Sequence, residues 1–454
     1  MTYRQLLAGN RDFRRLWSGQ VISEIGDWLN NIAVLALTIQ LAGAGRAGLA
    51  MALYAIARHL PLFLFGPVAG VIVDRADRRR VMIAADGVRA FLALGFLLAN
   101  WFQSLALIYA VGSALFAVSA FFNAAKRASI PNLTRDADEL LTGNSLSAST
   151  TAATIAVGSA LGGIIATVLG RDLVFVLNAL TFLLSADMIR RIRAGTRRPR
   201  AEVSTATQLR VDAASISHTP HRVAASTARP RFISFFSILG RMATDFREGL
   251  RYVRSDGVLA AIFVVAAVWG LGNGAARALY SIFGAQLGED VARGWLARPT
   301  DFGISVLFVA MGVGGVLGAP LARRFNSAAG DGLGARMGRS LVLDGCGLAL
   351  LSLTPNLWVA AVLLVAREMN FAIWWTAQQT IMMKRTEDAF AGRVFASYET
   401  LTTLMMVGSM LASGAAADRA GIRVVAAVGG IVVILSGLLW FALRRRRAAL
   451  NSFG

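Results

Sequence analysis

The first long apolar segment of the chain carries a stripe of polar side chains. Gln20, Glu24, Asp27 and Asn31 are spaced four, three and four residues apart, so they share one face of a helix. Carboxylates inside a membrane are costly unless they face a cavity or a partner. We therefore predict that Asp27 or Glu24 binds protons or a cationic substrate, with Glu24 nearer the start of the segment. The alternative is that both carboxylates are neutralised in fixed structural ion pairs.

The second apolar segment offers a basic partner for Asp27. At 1.5 Å per residue, Asp27 lies about 21 Å from the start of the first helix, and Arg58 about 24 Å from the matching end of the second. Antiparallel neighbours would place both side chains at one depth. The pair is then either static or displaced when a proton or substrate enters. His59, beside Arg58, is predicted to be a polar packing residue, with a proton relay as the alternative.

The composition places these residues in a membrane protein. Of the 454 residues, 56% are hydrophobic and only 16% are charged, and the mean hydropathy is +0.58. With about 20 apolar residues per crossing, the sequence predicts an all-α polytopic membrane protein with twelve transmembrane helices. The predicted spans lie near 13–41, 48–73, 81–100, 104–125, 142–169, 172–192, 258–284, 302–323, 338–353, 356–383, 393–417 and 422–443.

Basic residues concentrate in alternate loops between these spans. The loops after the second, sixth and twelfth spans are rich in arginine, whereas 100–104 and 354–356 contain no basic residue. This pattern predicts that both termini are cytoplasmic, in a cell (inner or plasma) membrane. The net charge of +20 is then explained by orientation and by contact with anionic membrane lipids, not by nucleic-acid binding. A single cysteine and three histidines argue against a metal site or another cofactor.

One long connection divides the chain. Residues 193–257 contain a polar stretch, 202–230, that is predicted to be disordered. The stretch is followed by an amphipathic basic helix, either on the inner membrane surface or as an ordinary linker helix. The flanking parts repeat weakly, because Asp86 and Asp344 are separated by the same interval as Lys126 and Lys384. We predict two pseudo-symmetric six-helix bundles, residues 1–192 and 258–454, the second ending in a basic tail.

The turn after the second span has a distinctive pattern. Gly66 and Gly70 are four residues apart, a spacing that lets helices approach closely, and Asp74 and Arg75 precede a run of arginines that includes Arg78 and Arg79. A weaker copy of the pattern, without the acid, follows the eighth span.

The pattern resembles the signature loop of the major facilitator superfamily, and within it the bacterial branch of enterobactin exporters and macrolide-efflux proteins. Asp77 departs from the wider superfamily, which usually has glycine there. The resemblance implies two six-helix bundles, alternating access and proton-driven export. Further segments that carry it are Phe13 to Gln20, Gly26 to Trp28, Ile130 to Leu133, Phe246 to Val253 and Gly392 to Val394.

The resemblance also implies roles for particular residues. Asp74 would latch onto the start of the eleventh span, near Gly392 and Arg393, when the protein is open to the outside. Spans one, four, seven and ten would line the substrate cavity. The alternative for Trp374 is packing that faces the lipid. Because Trp375 is adjacent to it in sequence, at most one of the two side chains is expected to face the cavity. The predicted cavity residues are Gln20, Asn31, Asn273, Arg277, Trp374, Gln378, Glu368 and Glu399.

The sequence thus predicts a secondary transporter and not an enzyme. We expect a proton-coupled exporter (antiporter) of amphipathic small molecules such as drugs, macrolides or siderophores, with multidrug resistance as its setting and a monomer as the default state. There is no nucleotide-binding glycine loop, and Asp86, Arg89 and Asp187 are interpreted as span-end residues without a catalytic role. The alternatives are a lipid or lysolipid flippase of the same fold and a transport-inactive membrane scaffold or sensor.

Overall fold

A computed structural model describes residues 1–43, 45–193, 235–327 and 332–451. All regular secondary structure in these ranges is helical, as predicted. Fourteen helices follow one another in the described part of the chain: α1 Tyr3–Gly9, α2 Arg11–Ala42, α3 Ala47–Arg75, α4 Arg78–Trp101, α5 Leu105–Leu133, α6 Ala137–Val168, α7 Arg171–Arg190, α8 Phe235–Ser255, α9 Gly257–Ala292, α10 Pro299–Ser327, α11 Leu333–Leu353, α12 Leu357–Arg385, α13 Asp388–Ala420 and α14 Ile422–Asn451.

Polar loop residues set where several helices begin. The carboxylate of Asp136 accepts a hydrogen bond from the backbone amide of Glu139 at 2.7 Å, at the start of α6. Asp77 accepts from the amides of Arg79 and Arg80 at 3.0 and 3.3 Å. Such caps stabilise the otherwise unpaired amides of a first helical turn. Asp77 therefore has a local structural role: two residues after α3 ends, its side chain caps the start of α4.

Eleven helices of the described residues are long and apolar enough to cross a membrane, judged by length and composition. They are α2 to α7, α9, α10 and α12 to α14. The predicted ninth span corresponds to α11, whose 21 residues include Arg336, Arg339 and Asp344. Its three charges lie close together, within nine residues of a short helix, and this sets α11 apart from the eleven. It packs against α12 and α14.

The long helices form two sets that meet along a seam. Helices α2 to α7, the N-terminal half, pack mainly on one another, as do α9 to α14, the C-terminal half. The seam consists chiefly of α6 against α10 and of α3 against α13. Small residues permit the close approach, because a side chain on Gly312 would overlap the backbone of Ala156, and one on Gly48 would overlap the carbonyl of Gly414.

The glycines of the turn motif do not act as predicted. A β-carbon at Gly66 or Gly70 would have open space around it, so the expected helix approach is absent at these two positions. It occurs at the weaker copy of the motif in α10. There, a β-carbon on Gly314 would lie 2.6 Å from the carbonyl oxygen of Val365, and one on Gly318 would lie 3.0 Å from Met369 Cα.

The connection between the halves is described only in part. The segment predicted to be disordered, 202–230, lies outside the described residues. The predicted amphipathic helix corresponds to α8, which packs against α13. The ring of Tyr252 stacks on Phe390 with centroids 4.5 Å apart, and Arg393 lies 3.4 Å from the carboxylate of Glu248. The C-terminal part of α8 is thus held by protein contacts; its position relative to the membrane stays a prediction.

Candidate functional site

Asp27 lies beside Arg89 of α4 and not, as predicted, in an ion pair with Arg58. The Asp27 carboxylate is 3.5 Å from the Arg89 guanidinium, with 35% of the Asp27 side chain exposed. Arg89 also lies 3.4 Å from Asp86, whose side chain is fully buried. One buried cation therefore serves two carboxylates, only one of which faces an open space. The interpretation of Asp86 and Arg89 as span-end residues is wrong.

Aromatic rings complete the surroundings of Arg89. The guanidinium carbon lies 4.6 Å from the ring centre of Phe122 and 4.1 Å from that of Phe182. A desolvated guanidinium gains from such contacts. Helices α2, α4, α5 and α7 thus meet at a single arginine in the interior of the N-terminal half.

Glu24 is the centre of a second cluster, one turn of α2 away from Asp27. Its carboxylate lies 3.1 Å from the ammonium of Lys126 on α5 and accepts a hydrogen bond from Gln20 at 2.9 Å. The hydroxyl groups of Thr151 and Thr154 on α6 each donate to it at 3.2 Å. The structure brings Gln20 and Glu24 together as the shared face of α2 predicts, but Gln20 contacts Glu24 and does not line the central cavity.

Arg58 is held by neutral groups. Its guanidinium donates a hydrogen bond to the side-chain oxygen of Asn31 on α2 and lies 5.3 Å from the ring centre of Trp28 and 4.9 Å from that of Phe116. Arg58 therefore contacts α2 at Asn31, one helical turn from Asp27, whose partner is Arg89. Equal depth, which the sequence indicates, does not place them face to face.

A cavity of about 110 Å³ lies between the two halves, next to Arg58. Three of the residues predicted for the site line it: Asn31, Arg58 and Arg277, and His59 lines it as well. The cavity is lined by Trp28, Asn31, Leu35, Met51, Tyr54, Ala55, Arg58, His59, Arg277, Tyr280, Ser281, Phe308, Met311 and Met410.

Two other predicted cavity residues belong to a buried network in the C-terminal half. Arg367 of α12 donates to Asn273 at 2.7 Å and lies 3.4 Å from Glu368. It also pairs with Asp344 of α11 at 3.1 Å and donates to the hydroxyl of Tyr280. Asn273 and Glu368 therefore contact Arg367 rather than the cavity.

The remaining three predicted cavity residues lie elsewhere. Trp374 is 1% exposed and packs edge-on against Trp269 with centroids 4.9 Å apart, so it is neither in the cavity nor facing lipid. Gln378 is also buried and donates to the hydroxyl of Tyr398. Glu399 is exposed and outside the cavity lining.

The turn motif presents its acid to the solvent-accessible surface. Asp74 and Arg75 are exposed, while Arg78 and Arg79 fasten α4 to its neighbours. Arg78 donates to the carbonyl of Ala128 at 2.6 Å, and Arg79 to that of Ile189 at 3.3 Å. These two arginines thus hold the N-terminal half together at this end.

Gly392 and Arg393, the predicted targets of Asp74, are not in contact with it here. A side chain on Gly392 would have open space, and Arg393 pairs with Glu248. The latch is predicted only for the conformation that is open to the outside, and it stays a prediction.

Polar contacts between the halves lie at the other end of the bundle. Arg171 at the start of α7 forms two hydrogen bonds with the carboxylate of Asp301 in α10, at 2.9 and 2.7 Å, and a third with Gln40 at 2.6 Å. The side chains of Arg171 and Asp301 are 8% and 0% exposed. Arg298 donates to the carbonyl of Ala166 at 3.1 Å. We call this end, defined by Gln40, Ala166, Arg171, Arg298 and Asp301, the closed end.

A helix terminus supplies a further contact there. Arg46, at the start of α3, makes no side-chain cap. Asp418 of α13 takes that role from the other half, accepting from the amides of Gly48 and Leu49 at 2.7 and 3.0 Å. A carboxylate at a helix N-terminus is favoured by the helix dipole.

Sequence reasoning gave several of these residues no role in the site. Asp86 and Arg89 interrupt an otherwise apolar run, which is a usable signal for interior charges. Lys126, Asp301 and Asp418 look like ordinary loop charges. Nothing local pairs Arg171 with an acid 130 positions away.

Comparisons with known proteins agree with this architecture. A family model described as Major Facilitator Superfamily matches residues 16–410. An uncharacterized MFS-type transporter of Bacillus subtilis (strain 168), YfiS, is 24% identical over 448 residues, with 96% of this chain and 94% of that protein covered. The putative bacilysin exporter BacE of Bacillus subtilis is 27% identical over 389 residues, which cover 84% of this chain and 82% of that protein.

A solved structure shows the same fold. A mutant of the nucleoside transporter NupG superposes with a TM-score of 0.65 at 12% identity, with 94% of this chain and 99% of that chain covered. The predicted resemblance to this superfamily and the predicted fold class are confirmed.

Proposed function

Because the chain belongs to the Major Facilitator Superfamily, we propose that this multi-pass membrane transporter exports amphipathic small molecules in exchange for protons. Drugs, macrolides and siderophores are the expected substrates. A relative named as a putative bacilysin exporter supports export over uptake. The transporter works by alternating access, in which the two halves open the cavity to each side in turn.

The observation that carries this proposal is the unequal environment of the two carboxylates at Arg89. Asp86 is sealed in, whereas a third of the Asp27 side chain is open. Protonation of Asp27 removes its attraction to Arg89, and Arg89 remains neutralised by Asp86. The link between α2 and α4 then loosens without leaving a buried cation unpaired. Asp27 is thereby suited to bind the coupling proton, and Glu24 with Lys126 is the second candidate.

The closed end indicates an orientation. The arginine-rich turn holding Asp74 lies at the opposite end, and the positive-inside rule puts such loops in the cytoplasm. The proposed state is therefore inward-facing, in the plasma membrane, with both termini cytoplasmic and the basic loops near anionic lipids. Residues 1–192 and 258–454 are proposed as the moving bundles of a monomer, with 193–257 as their connection.

Proton coupling is tested in energised everted membrane vesicles that contain the transporter and a pH-sensitive dye inside. Macrolides, lipophilic cations and catecholate siderophores are added one at a time. An exporter moves its substrate into these vesicles and releases luminal protons, so the dye recovers. Asp27→Asn should abolish the recovery, whereas Asp290→Asn, an exposed site with the same change, should not. Recovery that persists in Asp27→Asn contradicts the role of Asp27, and no recovery with any compound contradicts the proposed antiport.

A lipid flippase is the second candidate function, favoured by one observation. An apolar groove of about 540 Å³ runs between α6, α10 and α12, with Gly163, Val306 and Trp358 among its lining residues. A groove of this kind suits an acyl chain. No charged side chain lines it among the described residues, which leaves a lipid head group without a partner there.

A transport-inactive scaffold is the third possibility. The interior charges Asp27, Arg89, Asp344 and Arg367 argue against it, because each is costly to keep in a membrane.

A further inference from the structure

The charged groups that line the central cavity are all basic. Arg58 and Arg277 reach it from α3 and α9, with His59 beside Arg58, and none of the described lining residues is an aspartate or a glutamate. A cavity with such a lining attracts anions and repels cations, the more strongly because a surrounding membrane screens charge poorly.

No carboxylate contacts Arg277 in the described part of the chain; Glu368 and Asp344 interact with it electrostatically without forming an ion pair. It lies 20 residues into α9, about 30 Å from the start of that helix at 1.5 Å per residue, and its side chain is exposed to the cavity. No hydrogen bond or ion pair with another described residue holds its guanidinium. A cation this deep in a membrane protein normally faces a partner or a ligand path.

Arg58 likewise has no carboxylate in contact with its guanidinium among the described residues. Its hydrogen-bond partner, Asn31, is neutral, and Trp28 and Phe116 flank the guanidinium. The acid one helical turn away, Asp27, is paired with Arg89.

The acids of the C-terminal half are likewise engaged. Asp344 and Glu368 both contact Arg367, which leaves Arg277 and Arg58 as the cavity's own charges. The cavity therefore carries two guanidinium groups that no carboxylate of the described chain neutralises by contact.

We infer that the transported substrate is an organic anion whose oxyanion group binds between Arg58 and Arg277. The inference rests on the proposed transport function and assigns its substrate class. Guanidinium groups bind carboxylate and phosphate groups in fixed, forked geometry, and the rings of Trp28, Tyr54 and Phe308 offer apolar walls for the rest of the molecule. Asp27 then serves the proton and not, as one of the sequence predictions has it, a cationic substrate.

Binding of charged dyes to the purified protein tests the substrate class without requiring transport. Carboxyfluorescein and rhodamine 6G share a xanthene ring system but differ in charge, and 4-methylumbelliferyl phosphate carries a phosphate in place of a carboxylate. Each dye is titrated by fluorescence polarisation or quenching. We expect saturable binding of an anionic dye and none of rhodamine 6G.

Variants locate the site. Arg277→Gln should weaken binding of the anion about tenfold to a hundredfold, the usual effect of losing a charged hydrogen bond, and Arg277→Lys should restore part of it. Arg419→Gln makes the same charge change at an exposed position outside the cavity and should leave binding unchanged. Equal losses in Arg277→Gln and Arg419→Gln would overturn the inference.

The outcomes separate this inference from the proposed function. Anion binding without proton release in vesicles retains the substrate class and refutes the antiport. Preferential binding of rhodamine 6G, or no saturable binding of either anion by folded wild-type protein, overturns the substrate class and leaves proton-coupled export standing on its own test.

Discussion

Replacement of Asp301 by asparagine should open the closed end. In the structure, Asp301 receives two hydrogen bonds from Arg171 at 2.9 and 2.7 Å, and Gln40 accepts a third from the same guanidinium. The Asp301→Asn variant keeps the shape of the side chain but leaves Arg171 as a nearly buried cation without its counter-ion. Opening of the end lets water reach Arg171, so the equilibrium should move toward the open form.

The size of the shift follows from burial. Removal of one partner from a buried ion pair costs about 3–5 kcal/mol, and each ~1.36 kcal/mol is a tenfold change in an equilibrium constant. The constant for closure should therefore fall by about two to four orders of magnitude. If roughly 99% of the wild-type protein is closed, the variant should lie between an even mixture and a largely open population.

Distance measurement between two nitroxide labels reads this population directly. Trp101 and Trp295 are 70% and 89% exposed, lie near the closed end on opposite halves, and are replaced by cysteine in a Cys346→Ser background. Pulsed dipolar spectroscopy should show one short distance in this background. A second, longer distance should dominate or equal it in Asp301→Asn.

Two controls make the test specific. Asp290→Asn, near the same end and exposed, should keep the short distance alone. The double variant Arg171→Gln with Asp301→Asn should open less than Asp301→Asn, because no buried cation is left unpaired. An unchanged distance distribution in Asp301→Asn, or equal opening in the single and double variants, would refute the reasoning.

Three further changes have expected outcomes. Asp418→Ala removes the cap that α3 receives across the seam and should weaken closure by about 1 kcal/mol, a roughly fivefold change in the equilibrium constant. The same spin labels measure this change, and a distribution without any second, larger distance would contradict it. Gly312→Leu should overlap the backbone of Ala156 and lower the melting temperature in detergent, whereas Gly66→Leu, at an open position, should not; equal losses would argue against tight packing at the seam. Asp344→Asn removes one of the two carboxylates that contact Arg367 and leaves Glu368 as its counter-ion, so it should destabilise the fold by about 1–3 kcal/mol. The measurement is thermal unfolding, and a melting temperature equal to wild type would show that the network is not structural.

The sequence determined the long helices and where they end. Apolar runs of membrane length, interrupted by polar caps such as Asp77 and Asp136, are local features, and local features survive in the folded chain. Eleven of the twelve predicted spans correspond to helices with crossing length and composition. The remaining one, the predicted ninth span, is α11, a helix with three charges. The family also followed from short motifs read in order.

The sequence was less informative about the site. The polar face of α2 was a correct prediction in one respect, since Gln20 bonds to Glu24 and Asn31 lines the cavity. Yet most of the other predicted cavity residues are in networks of their own, because Trp374, Gln378 and Asn273 lie on faces turned toward neighbouring helices. Amide and aromatic side chains suit both a cavity and a helix interface, and composition does not distinguish the two.

What only the tertiary structure decided is which charges meet. A rise of 1.5 Å per residue gives the depth of a side chain, but the direction in which it points depends on how each helix is rotated against its neighbours. That rotation is set by packing, for example by Gly158 and Gly162 of α6, where β-carbons would lie 2.7 and 2.6 Å from carbonyl oxygens of α2. Asp27 and Arg58 share a depth and still do not pair, whereas Arg89 reaches Asp27 across the bundle. The contacts of the closed end arise in the same way, since Arg171 and Asp301 meet only when two separate halves are docked.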